Sequence, residues 1–211
     1  MRRAGVSSGI RHLTAADIEE IGGVPVTTAL RTACDLGRLL WRYDALAAID
    51  GFLRLGVSQD QLLQVERFKG HRGVVQLRCL AERSDPGAES PPESALRLHW
   101  YEADIPSRPA TQIWVHADDG TPRFRIDVGD PDVRFGAEYF GEEFHGEDDQ
   151  VSDEDRLRWL RDRRAWVMEV FTKADVYGPD LAAGDRLHRG YVTARSTMGL
   201  RGRTYVDLGR L

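Results

Sequence analysis

The stretch that most limits what this chain can fold into is 123–146, two runs of alternating polarity on either side of Gly129-Asp130-Pro131-Asp132. Period-2 alternation broken by turn residues predicts a β-hairpin. Phe124, Ile126 and Val128 are expected on one face of the first strand, with Arg125 and Asp127 on the other. On the second strand Ala137 and Tyr139 share a face, and Glu138 and Phe140 the opposite one. Burying both apolar faces in one core pairs Val128 with Ala137 and Ile126 with Tyr139. That register sets Asp127 opposite Glu138, with cross-strand Cβ atoms about 4.5–5.5 Å apart. Two carboxylates so close repel unless a proton or a cation lies between them, and hard divalent cations take oxygen ligands of this kind. The hairpin therefore predicts either a metal-capable pair or a solvated strand face beside a turn.

Charge narrows the partners. Residues 1–83 carry 12 Lys/Arg against 9 Asp/Glu and residues 84–211 carry 17 against 25, giving the formal net charge of −5. No strongly basic nucleic-acid footprint is present, and an acidic second half suits a basic protein partner. No apolar run approaches the roughly 20 residues of a membrane span. The N-terminus lacks the apolar stretch of a signal peptide. Cys34 and Cys79 fall in helical patterns as small buried hydrophobes without metal-ligand spacing. A cytoplasmic protein is expected.

Along the chain, a short helical hint covers Thr14–Glu20, and Ile21–Val26 reads as a turn and a short extended piece. Thr27 or Thr28 caps a helix to about Leu40, and a second covers about Tyr43–Leu55. Ser58-Gln59-Asp60-Gln61 is a capping box opening a third, to about Phe68, and Val74–Arg83 forms a fourth. Residues 1–83 are thus a helical module with a short extended N-terminal segment. Residues 84–92, rich in Pro and Ser, read as a linker. Ser90 caps the next helix, with Pro91 at its first position and Leu96, Trp100 and Ala103 as its apolar stripe. Glu93 completes a capping box with Ser90, yet its spacing also places it on the stripe side, bordering the sheet. Cap and site are alternatives for one side chain. A strand at Gln112–Ala117 leads into the hairpin. The acidic run Glu142–Asp155 reads as a solvated loop, and Ser152 caps a helix ending in Arg161, Arg163 and Arg164. A strand at Trp166–Phe171, a turn at Lys173–Tyr177 and a last helix at Asp180–Arg195 follow. Residues 196–211 form a tail with one strand-like piece, Thr204–Leu208.

From Ser90 onward the order helix, strand, strand, strand, helix, strand is accompanied by Ser90-Pro-Pro-Glu93-Ser94, Arg125-Ile-Asp127, Glu138-Tyr-Phe-Gly141 and His145. This resembles the PD-(D/E)XK nuclease superfamily, in the branch related to very-short-patch-repair endonucleases. Trp166–Phe171 after the Arg156–Leu160 helix resembles that branch's closing segment. Gly23-Val-Pro-Val-Thr-Thr28 and Leu30-Arg-Thr-Ala-Cys-Asp-Leu36 resemble the middle of actinobacterial AbiEi-type antitoxins, which often end in such a nuclease-like domain.

The resemblance implies an α+β chain: the helical module 1–83, a restriction-endonuclease-like αβββαβ domain with a mixed sheet at 84–195, and the tail 196–211. It implies an antitoxin that neutralises a nucleotidyltransferase-like toxin by direct binding. Residues 142–155, notably Glu142, Glu143, Asp148 and Asp149, would face the partner's basic cleft. Glu93, Asp127, Glu138 and His145 would be vestiges of the catalytic set. Two departures carry weight. The winged helix that opens AbiEi-type antitoxins would precede the present residues, so DNA binding by that route is not favoured. Phe140 stands two after Glu138, where active members carry Asp or Lys; a phenyl ring neither binds a cation nor positions water. No cofactor is then expected. The alternative is a Mg²⁺-dependent DNA endonuclease, with Glu93, Asp127 and Glu138 as ligands and His145 near the scissile phosphate.

Overall fold

The computed structural model describes residues 12–64, 66–141, 147–180 and 182–199. The protein is α+β, with a separate two-stranded hairpin and a four-stranded mixed sheet. A 3-10 turn at Ala15–Asp17 leads into β1 (Ile18–Ile21) and β2 (Val24–Thr27), an antiparallel pair. The helical hint at Thr14–Glu20 holds only as this 3-10 turn; from Ile18 the chain is strand, because Gly22 and Gly23, at φ +59° and +80°, supply the tight turn that pairs the flanking residues. Asp17 anchors the hairpin to the helices by an ion pair of 3.0 Å with Arg31.

The helices α1 (Ala29–Leu39), α2 (Arg42–Arg54), α3 (Gln59–Leu63) and α4 (Val74–Arg83) follow. Thr28 caps α1 through the Arg31 N–H, and Ser58 and Gln61 form the expected capping box on α3. The third helix is shorter than its pattern suggested; Glu66–Phe68 continues as a 3-10 turn. Cys34 is buried as expected. Cys79 is exposed, its sulfur accepting a hydrogen bond from the Arg83 guanidinium.

α5 (Pro91–Glu102) is buried along nearly its whole length, because α2 packs on one side of it and the sheet on the other. β3 (Ala110–His116), β4 (Pro122–Asp130) and β5 (Phe135–Tyr139) pair antiparallel in order. α6 (Glu147–Arg164) then crosses over to β6 (Val167–Phe171), which runs parallel to β5. The acidic run is therefore helical from Glu147, earlier than Ser152; Glu147, Asp148 and Asp149 at its start suit the positive end of the helix dipole. α7 (Lys173–Tyr177), expected as a turn, is a short helix under its own Thr172–Asp175 capping box. α8 (Ala183–Thr197) closes the fold; residues 200–211, most of the predicted tail, lie outside the described residues.

Two apolar clusters flank the sheet. The larger runs continuously from α1, α2 and α4 through Leu96 and Trp100 of α5 to Val128, Phe135, Ala137 and Phe171 of the sheet, and on to Leu187 and Tyr191 of α8. α8 approaches closely, since a Cβ on Gly190 would lie 2.5 Å from the Phe135 ring. The smaller joins Val115, Ile126, Trp166 and Met168 to Leu160 of α6. Among the described residues no helix is long and apolar enough to cross a membrane.

Candidate functional site

The predicted register holds at its centre. Val128 pairs with Ala137, Gly129 with Gly136 and Asp130 with Phe135. Beyond Val128 the regular pairing stops. The N–H of Tyr139 donates to the Asp127 carboxylate at 3.0 Å, where the strict ladder would give it a backbone carbonyl. The expected pairing of Ile126 with Tyr139 is absent from the ladder for that reason. The faces change there too. Val128 belongs to the larger cluster, whereas Ile126 lies with Met168 in the smaller one, and a Cβ on Gly136 would strike both. Phe124, Ile126 and Val128 therefore do not share one face, because the strand departs from period 2 at Asp127.

The neighbouring strand is irregular at the same level. In the β3–β4 register, Thr111 faces Val128 and Ile113 faces Ile126, so Gln112 falls at the Asp127 level. Gln112 has φ +53°, a conformation that costs a non-glycine residue about 1–3 kcal/mol. Its side-chain amide donates to Glu93 at 2.6 Å. Glu93, buried on the first turn of α5, also accepts from the Ser90 hydroxyl at 2.7 Å and the Glu89 N–H at 2.9 Å. Of the two roles the sequence left open, the cap is occupied: three donors already hold this carboxylate.

Glu138 is almost wholly buried, with 1% of its surface exposed. One oxygen accepts from Arg156 of α6 at 2.7 Å, and the same guanidinium donates to the carbonyl of Arg125. The other oxygen is buried and has no partner among the described residues. Burial is the main reason the Glu138 carboxyl is pushed up to about 7; Arg156 opposes it, while Asp127 and Asp153 add to it. Asp127 is raised to about 6, again mainly by burial, against the Tyr139 hydrogen bond and with the charge of Glu93 adding to the rise. Asp127 thus feels Glu93, and Glu138 feels Asp127. Asp127 and Glu138 are within electrostatic reach of each other, but the strand ladder does not pair them, and the Arg156 guanidinium holds Glu138 alone.

Among the described residues no group of three or more His, Cys, Asp or Glu side chains is arranged to hold a metal ion. The donor set does not fit Mg²⁺: Glu93 is spent on the helix cap, and Arg156 places a positive charge against Glu138. Phe140, part-buried, continues past β5 with its N–H on the Phe171 carbonyl at 2.8 Å. His145, Glu142 and Glu143 lie outside the described residues, and Asp148 and Asp149 fall in the first turn of α6.

Arg156 and Gln112 are the residues that reading the sequence missed. Gln112 could have been found by extending the hairpin register one strand outward. Arg156 lies eighteen residues beyond Glu138, and nothing local to it marks it as different from the other arginines of its helix.

No protein-family profile matches the chain, and no solved structure matches it at a significant level. Two curated proteins of Mycobacterium tuberculosis do. They are Uncharacterized protein MT2308 of strain CDC 1551 / Oshkosh and Uncharacterized protein Rv2248 of strain ATCC 25618 / H37Rv, each 30% identical over 170 residues. The match covers 79% of this chain and 62% of each relative, so the chain spans less than two thirds of their length.

Proposed function

We propose that this protein is a cytoplasmic antitoxin of the AbiEi kind, neutralising a nucleotidyltransferase-like toxin by direct contact on a nuclease-like scaffold that no longer cleaves nucleic acid. The observation that carries the non-catalytic part is the seat of Arg156. A guanidinium bonded to Glu138 and to the Arg125 carbonyl supplies internally the positive charge that a hydrolytic centre would recruit from solvent. Phe140, in the position where a polar group would complete the set, agrees with that reading. The element order α5–β3–β4–β5–α6–β6, preceded by the four helices, agrees with the two resemblances in the sequence.

The partner would be held through the acidic segment 142–155. Rim charges mainly set association rates, and exposed charges are screened over about 10 Å at 0.1 M salt. If a nucleotidyltransferase-like toxin is encoded beside the gene, co-expressing this protein with it should restore the growth that the toxin alone stops. Replacing Glu142, Glu143, Asp148 and Asp149 by Lys should slow association several-fold, as high salt would, and leave dissociation nearly unchanged. Association at the wild-type rate would remove the acidic surface from the account.

The second reading, a Mg²⁺-dependent DNA endonuclease, is favoured by one feature, the unpartnered buried oxygen of Glu138. It requires Arg156 to leave the carboxylate it now holds.

A further inference from the structure

A second concavity shares no lining residue with the Asp127–Glu138 fork. It lies between the α5–β3 loop, the β4–β5 turn and the second half of α8, with a volume of about 690 Å³, within the range of small-ligand sites. The β3–β4 ladder starts with the pair Ala110 and Gly129, and Pro109, which has no N–H, cannot extend it. The loop before it is held from the other side, where the Trp100 indole donates to the Ser107 carbonyl at 2.8 Å. Across the cleft, Asp130 pairs with Phe135, a residue of the larger apolar cluster, and the Tyr191 ring of α8 lies 6.3 Å from the Phe135 ring. Paired residues share a sheet face, so Asp130 stands on the α8 side.

Four charged side chains line the cavity, Arg108, Asp130, Asp132 and Arg195. They balance in sign, yet neither aspartate forms an ion pair among the described residues. Asp130 is only 6% exposed. One of its oxygens accepts the Asp132 N–H at 2.9 Å; the other has no partner among the described residues and is open to the cavity. Arg108 is exposed on the loop and makes no hydrogen bond or ion pair among the described residues. Counting back from the Ala110–Gly129 pair sets Pro109 level with Asp130, so Arg108 and Asp130 are one residue out of level on adjacent segments. Arg195 lies against the Tyr191 ring, its guanidinium carbon 6.0 Å from the centroid. Pro106, Pro131 and Tyr191 make the remaining wall largely apolar.

We propose that this cavity binds a small apolar zwitterion, its ammonium on the open oxygen of Asp130 and its carboxylate on Arg108. A mostly buried carboxylate oxygen without a donor is costly to the fold, and an ammonium supplies both the donor and the charge. Arg108 offers the planar pair of donors that a carboxylate takes. A simple cation is opposed by Arg108 and a simple anion by Asp130; a molecule bearing both charges suits each. The apolar wall favours an apolar side chain between them. Free amino acids and dipeptides share this chemistry and differ in how far apart the two charges stand. The assignment stands on this cavity alone and does not depend on the antitoxin reading.

Calorimetric titration of the full chain with L-phenylalanine and with L-alanyl-L-phenylalanine tests it, each beside its N-acetyl form, which lacks the ammonium, and its amide, which lacks the carboxylate. Saturable binding of a zwitterion is expected, with each blocked form roughly tenfold weaker. Tighter binding of phenylalanine identifies a free amino acid, and tighter binding of the dipeptide identifies a peptide. Asp130→Asn keeps an acceptor for the Asp132 N–H, and Arg108 is exposed, so circular dichroism of Asp130→Asn and Arg108→Gln should be unchanged. The first should erase the advantage of the zwitterion over its N-acetyl form, and the second its advantage over the amide. If Asp130→Asn does not fold, Arg108→Gln and the blocked forms decide the matter. Failure of both zwitterions to bind, a blocked form binding as tightly as its parent, or affinity indifferent to either substitution in a folded variant would overturn the assignment.

Discussion

Two buried arginine–carboxylate clusters support the same helix–sheet unit, and they are built differently. Between α2 and α5, Arg97 and Asp50 meet at 2.6 Å with 1% and 0% of their side chains exposed. The second Asp50 oxygen accepts the Asp85 N–H at 2.8 Å, so both oxygens are occupied. At the fork, Arg156 satisfies one oxygen of Glu138 and leaves the other bare, with Asp127 and Glu93 adding negative charge nearby. The first cluster joins the helical module to the sheet domain. The second carries more acid than it can neutralise, an arrangement that folding alone does not favour.

The largest effect separating the two should follow from cutting the first. Asp50→Ala leaves the buried Arg97 with only its 3.6 Å pair to Asp85, and urea denaturation should show a loss of about 3–5 kcal/mol. Arg156→Ala should cost less, about 1–2 kcal/mol at pH 8, because Glu138 can escape by taking up a proton. At pH 5, where Glu138 is already protonated, the loss should nearly vanish. A loss equal at both pH values would mean that Arg156 acts through packing.

A smaller effect concerns pH itself. Carboxyls raised to about 6 and 7 bind protons in the folded state that the unfolded chain has already released. Stability therefore falls as pH rises from about 4 through 7. Asp127→Asn/Glu138→Gln should lose less stability than wild type between pH 5 and 8 in thermal melts. Parallel curves would remove the raised affinities from the account. The smallest effect is expected of Phe140→Asp: with Arg156 still in place, it should leave the melting temperature insensitive to Mg²⁺.

The contrast also shows what the sequence made legible. Capping residues and apolar stripes place the helices well, because those signals are local: Thr28, Ser58 and Ser90 each cap the expected helix. Gly129-Asp130-Pro131-Asp132 and the alternating runs locate the hairpin and its central pair, Val128 with Ala137. The fork itself was hidden. Whether Asp127 keeps period 2 depends on its carboxylate capturing the Tyr139 N–H, a tertiary choice that alternation cannot encode. The Glu93 ambiguity likewise waited on Gln112, a donor from another strand. Arg156 was hidden by distance in the chain, since a charge that closes a site from a neighbouring helix looks like any surface arginine.

The most direct test of the central claim is cleavage of supercoiled plasmid by the purified full chain with Mg²⁺ or Mn²⁺, beside Asp127→Asn and Glu138→Gln. If Arg156 and Phe140 have closed the fork, wild type and both variants leave the plasmid intact. Metal-dependent cleavage by wild type that both substitutions abolish would contradict the account and make the fork an active nuclease centre.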